Sequence, residues 1–240
     1  MTIDIRVDDQ GLIVQTDFDG GDCAARTGEL YTGLCLNGAT DEQTFREFTN
    51  SVDLLEPNKD GILLRYNRPP YNDPLNGDFS TSRDQTVPMI IAAGFYGKYG
   101  FLKRLAIAQL KRFTLFQNKD ICSPENIGQY IRAFAVYRKI YFTPFYPILL
   151  LGDLFMLLSV IVRCVQGRKW DDVGDDILCI QSMLQATFVL PTPLSWLTRK
   201  IYAKFRPYGP YHAMEWYHRP ESFGNPIDKI YRPLIEKWLS

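Results

Sequence analysis

The sequence predicts an all-α domain of packed helical hairpins, preceded by a short N-terminal β-hairpin. Three observations carry that expectation. From Asp22 onward apolar residues recur at helical spacing, capping signals open successive segments, and prolines and glycines close them. Strand-like alternation is concentrated in residues 2–16, and no interior linker, repeat or low-complexity tract divides residues 1–240, so one domain is expected, with 1–16 as an arm.

The arm reads as two strands, Ile3 to Val7 and Leu12 to Gln15, joined at Asp8-Asp9-Gln10-Gly11, where the glycine can take the left-handed turn conformation. A helix follows from Asp22, with Cys23, Ala24, Ala25, Leu30 and Leu34 on its apolar surface. Gly28 and Gly33 weaken it but permit close packing. Thr40-Asp41-Glu42-Gln43 has capping-box spacing and opens a second helix through Leu54, ended by Pro57. Residues 57–81 form a long loop interrupted by the strand-like run 61–66. Loops of that length in a compact domain are uncommon and often functional.

Ser82-Arg83-Asp84-Gln85 again has capping-box spacing and starts an apolar helix ending near Gly97 or Gly100. Pro88 fits best in a first turn, which argues for a cap a few residues beyond Ser82. A basic amphipathic helix over 101–116 places Lys103, Arg104, Lys111 and Arg112 outward. Ser123-Pro124 then reads as a cap followed by a first-turn proline. Further helices are expected near 125–140, 146–166, 172–189, 194–205 and 227–239.

Acidic and basic residues number 27 each, which excludes a global field that would draw in nucleic acid or an anionic membrane. Cys23, Cys35, Cys122, Cys164 and Cys179 lack CxxC spacing and mostly sit among apolar residues. They read as buried thiols in a reducing compartment. The first residues alternate polar and apolar, unlike a signal peptide, so no signal-led export is expected and the location is read as cytoplasmic. Residues 146–162 are nearly continuous in hydrophobicity but fall short of the roughly 20 residues needed to span a bilayer. Asp153 near their middle would cost roughly 2.5–3.5 kcal/mol on insertion. A central helix, apolar on all faces, explains the segment better than a membrane span.

Two charged clusters open helices. Asp84 lies in a first turn, where free amides and the helix dipole favour a carboxylate. The same residue in a dry cleft beside a second acid could serve as a general acid. Asp17, Asp19 and Asp22 sit in a glycine-containing loop that departs from the calcium-loop pattern at Gly21 and Asp22, leaving Asp22 as a helix cap paired with Arg26. Acids from two helix starts are what glycoside hydrolysis requires, one to protonate the leaving oxygen and one to activate water or attack carbon, and Asp84 with Asp22 is the candidate catalytic pair. Tyr66 and Tyr71, with Arg65, Asn67, Arg68 and Asn72, combine flat apolar faces with donors, a combination by which sugar rings, and also peptides, are recognised. A proline-stiffened loop packed on the domain is the plainer reading. The His212-x-x-Glu215-x-x-His218 spacing puts its ends on different helical faces at about 100° per residue, so no metal site is expected. His212 and Glu215 read instead as a polar cleft edge or a surface pair. No phosphate loop, dinucleotide fingerprint or nucleophile elbow appears, and no cofactor is expected.

Residues 21–28, 82–88 and 217–221 resemble uncharacterised phage and bacterial proteins, and the helical-hairpin layout is similar to (α/α)-toroid carbohydrate-active enzymes. That resemblance covers most of the chain without a diagnostic motif. It implies a cleft at one end of a helical ring, lined by acids and aromatics; the chain is short for six hairpins, so the implied ring is incomplete, and a shared fold would not establish catalysis. The expectation is a glycan-active hydrolase or lyase with Asp84 and Asp22 as acid and base and with Arg26, Arg65, Tyr71, Arg83, Gln85, His212 and Glu215 binding substrate. The alternative is a non-enzymatic phage or bacterial structural or interaction protein, in which the same charges are caps and ion pairs; the phage resemblance implies a virion-associated location as the alternative to a cytoplasmic one.

Overall fold

The computed structural model describes residues 5–15, 21–73, 83–113, 124–139, 144–165, 186 and 190–205. Within them the protein is mostly helical. Strands β1 (Ile5–Val7) and β2 (Ile13–Gln15) pair antiparallel, with Arg6 opposite Val14. Asp8 closes their turn because its Oδ1 accepts from the amides of Gln10 at 2.9 Å and Leu12 at 2.8 Å, while Gly11 takes a φ of 83°. Tyr66 donates its hydroxyl to Asp8 Oδ2 at 2.7 Å, fastening this arm to the 61–71 loop.

Seven helices follow among the described residues: α1 (Cys23–Leu36), α2 (Glu42–Leu55), α3 (Arg83–Phe95), α4 (Tyr99–Phe113), α5 (Pro124–Tyr137), α6 (Tyr146–Val165) and α7 (Pro193–Phe205). The most extensive packing runs α1–α3–α5–α6–α7, with α2 and α4 making lighter contacts at the sides. Small residues set the close approaches. A Cβ on Gly28 would lie 2.4 Å from the Pro88 carbonyl carbon, and one on Gly94 would lie 2.7 Å from Ala133 Cα. The core between α1, α2 and α3 is aromatic: Phe48 sits 5.0 Å, centroid to centroid, from both Tyr31 and Tyr96. Burial pushes the Tyr31 hydroxyl up to about 12.

Several boundaries differ from the sequence expectation for local reasons. The cap of α2 is Asp41 rather than Thr40, since Asp41 Oδ1 accepts from the Thr44 amide at 2.9 Å and Oδ2 from the Thr44 hydroxyl at 2.9 Å. Pro88 lies inside α3 instead of its first turn, on the side where Gly28 lets α1 come close. The 61–66 run is not a strand. It is pinned as an irregular loop by Leu64 N–H donating to Leu55 O at 2.8 Å and by the fully buried Glu56 carboxylate, which accepts from Gly61 N at 2.8 Å and from Arg104 Nε at 2.8 Å. Helix α4 begins at Tyr99, two residues before the expected start, and α5 opens on Pro124 as a first-turn proline should. The helices expected over 172–189 and 227–239 fall outside the described residues, Ala186 excepted.

Asp153, the acid inside the apolar segment, is buried against α5. Arg132 Nη2 donates to both its carboxylate oxygens at 2.6 and 2.7 Å, and the Thr192 hydroxyl donates to Oδ2 at 2.6 Å. Thr192 caps α7 in turn: the Ser195 amide donates to its Oγ1 at 3.1 Å, and its own amide donates to Ser195 Oγ at 3.0 Å. One ionic network thus ties α5, α6 and α7 together. No helix among the described residues is long and apolar enough to cross a membrane.

Candidate functional site

The N-terminal ends of α1 and α3 meet. Gln85, fully buried in the first turn of α3, donates from Nε2 to Asp22 Oδ1 at 2.7 Å and accepts from the Ala25 amide at 3.1 Å through Oε1. Asp22 occupies the cap position of α1 but makes no side-chain cap bond; Gln85 takes up one of its oxygens instead. Its other oxygen faces Arg26 Nη2 at 3.5 Å. Arg26 then bonds Glu29 through Nη1 at 3.2 and 3.0 Å. The result is a polar chain Gln85–Asp22–Arg26–Glu29 in which Gln85, Arg26 and Glu29 are buried while the Asp22 side chain retains 36% exposure.

The loop before α3 completes the surroundings. The Ala24 amide donates to Arg65 O at 2.9 Å, so residue 65 sits against the start of α1 through its backbone. Tyr71 lies over Gly21: a Cβ on that glycine would come within 3.1 Å of the phenol ring, so glycine is what admits the aromatic beside Asp22. Cys23 and Thr27, one turn apart, back the cluster with a 3.9 Å thiol–hydroxyl contact. Burial, only partly offset by Thr27, pushes the Cys23 thiol well above its ordinary value and keeps it from acting as a nucleophile.

Of the residues singled out in the sequence, the structure brings Asp22, Arg26, Gln85 and Tyr71 together and places the backbone of Arg65 beside them. Arg26 and Gln85 are buried, which suits them to hold Asp22 rather than to touch a ligand. Arg83 and Asp84 belong to the first turn of α3, next to Gln85, but their side chains are not among those described. His212 and Glu215 lie outside the described residues, as do Asp17 and Asp19. Among the described residues no group of three or more His, Cys, Asp and Glu side chains could hold a metal ion. Glu29, an acid three positions after Arg26 on the same helix, was not among the expected site residues, and the structure adds it to the cluster as the partner of Arg26.

A separate cavity of about 580 Å³ opens between α4, α5 and the start of α6, lined by Leu110, Ile127, Ile131, Phe134 and Ile148 among others, with Gln109, Tyr130 and Arg138 bringing polar groups to its wall. Gln109 is held in the wall by the Tyr130 hydroxyl, which donates to its Oε1 at 2.9 Å. The cavity and the Asp22 cluster share no residues. Comparison of the chain with protein-family models, with characterised proteins and with solved structures gives no match.

Proposed function

We propose that the joined N-termini of α1 and α3 form the floor of a glycan-binding cleft and that the protein is a polysaccharide hydrolase or lyase. The observation that supports this most is the hold on Asp22: a carboxylate fixed by Gln85 on one side and Arg26 on the other, accessible to solvent, and beside the Tyr71 ring. A preorganised acid with an adjacent aromatic surface is what sugar chemistry uses. In this reading Asp22 activates water or abstracts a proton, and Asp84, one residue before Gln85, supplies the second carboxyl group. Tyr71 stacks on a sugar ring, while Arg26, Glu29 and Gln85 position Asp22.

The test is Asp22→Asn and Asp84→Asn, assayed for release of reducing ends or unsaturated products from a panel of polysaccharides, alongside thermal unfolding. Asparagine at position 22 can still accept from Gln85, so the fold is expected to persist while turnover is lost. Loss of thermal stability with no glycan turnover by the wild type would instead leave the cluster as a latch between two helices. That second reading, a phage or bacterial structural or interaction protein, is favoured by one observation: the outer face of α6 is apolar and exposed.

A further inference from the structure

Helix α6 is apolar on two opposite sides. Its inner side, with Leu149, Met156 and Val160, packs in the core around Asp153. Its outer side carries Leu151, Leu154, Phe155, Leu158, Val162 and Val165, each between 39% and 81% exposed. At about 100° per residue these six fall in one stripe roughly 100° wide along the helix. No charged residue interrupts them. A surface helix normally turns a polar face to water, and one that is apolar all round is normally covered.

We propose that this stripe is a self-association surface, on which a second copy of the chain packs its own α6 about a twofold axis. Size supports that occupant: the six side chains, with Ile148 and Ile161 at the edges, are each at least 36% exposed along one helix, an apolar surface of the same order as the about 800 Å² per partner of a stable complex. A helix of 20 residues gives two copies a contact line of about 30 Å. Charge supports it too. A stripe without charges is complementary to itself, and a chain with 27 acidic and 27 basic residues does not repel its copy. A bilayer surface fits less well, because a helix lying on lipid is bordered by lysines and arginines and α6 contains one cation, Arg163. The stripe also runs through Ile148 to the mouth of the apolar cavity, so a twofold partner would cover both.

Sedimentation of the full chain at micromolar concentration tests this, comparing wild type with Leu158→Glu and, separately, with Val165→Glu, which sits at the exposed end of the helix and cannot disturb the core. The wild type is expected to sediment as a dimer. Each variant should keep the wild-type circular dichroism spectrum and weaken dimerisation at least about thirtyfold. A wild type that stays monomeric overturns the proposal, as does a dimer indifferent to both substitutions. Monomers that float with phosphatidylcholine vesicles through this same face would overturn it in favour of a lipid surface.

Discussion

Removing the Asp153 carboxylate should be among the most damaging single changes in the helical half of the molecule that contains α5, α6 and α7. Arg132 is buried with it, and the acid accepts two hydrogen bonds from that guanidinium and a third from Thr192. Burial pulls the Arg132 guanidinium below its ordinary value while Asp153 opposes the shift, which is the signature of a cation dependent on its partner. Asp153→Ala leaves that cation buried without its counter-ion, at an expected loss of about 3–5 kcal/mol. Such a loss is a large fraction of the roughly 5–15 kcal/mol by which domains are stable. The double variant Arg132→Met/Asp153→Leu removes both charges and fills the space with apolar groups. It should recover to within about 1–2 kcal/mol of wild type, the residue of the loss being the Thr192 hydroxyl left without its acceptor. Urea unfolding of the wild type, both singles and the double gives the coupling directly. A single variant costing less than about 1 kcal/mol, or a double whose loss is the sum of the singles, would refute the idea that the pair is what joins these helices.

Three further outcomes follow from the packing and the pKa shifts. Gly28→Ala would set a methyl 2.4 Å from the Pro88 carbonyl carbon and 2.5 Å from Met89 N, forcing α1 and α3 apart at an expected cost of about 1–3 kcal/mol; an unchanged unfolding midpoint would show that the two backbones are not in contact. Hydrogen bonds from the Thr44 amide and hydroxyl hold the Asp41 carboxyl below its ordinary value, so its stabilisation is present at neutral pH and disappears as pH falls through the lowered value. The gap in thermal midpoint between wild type and Asp41→Ala should therefore close on acidification, and a gap that persists in strong acid would contradict the cap. Cys23 should resist alkylation in the native protein and react once it is unfolded, whereas Cys35, half-buried with its thiol pushed up to about 11, should react slowly; peptide mass spectrometry after timed labelling distinguishes them, and rapid native labelling of Cys23 would count against its burial.

The fold was legible where the signal is local. Proline at the start of α5, the hairpin turn with Gly11, and the apolar run of α6 each mark their elements within a few residues. The cap of α2 shifted by one residue because capping-box spacing does not say which of two adjacent oxygen-bearing side chains turns toward the Thr44 amide. What sequence could not supply is pairing at a distance. Gln85 reaches Asp22 across 63 positions, and nothing local to either residue announces the other. Asp153 was visible as an acid misplaced in an apolar helix, and Arg132 as a cation among Ile131, Ala133 and Ala135; matching these two charges without local partners was the available inference, since each costs too much to bury alone. The expected pairing of two charged helix starts, by contrast, rested on chemistry that needs the carboxyl groups of Asp22 and Asp84 at one place; the starts of α1 and α3 do meet, through Gln85 and Asp22, while the Asp84 side chain lies outside those described.

The claim that this meeting point is a ligand site is tested most directly by following the backbone and side-chain amide resonances of the full chain during titration with oligosaccharides from the same panel. A binding glycan should move the signals of Ala25, Tyr71 and the Gln85 side-chain amide together, and leave those of Arg132 and Thr192 in place. Oligosaccharides that move none of them, or that act only on residues remote from Asp22, would contradict the account.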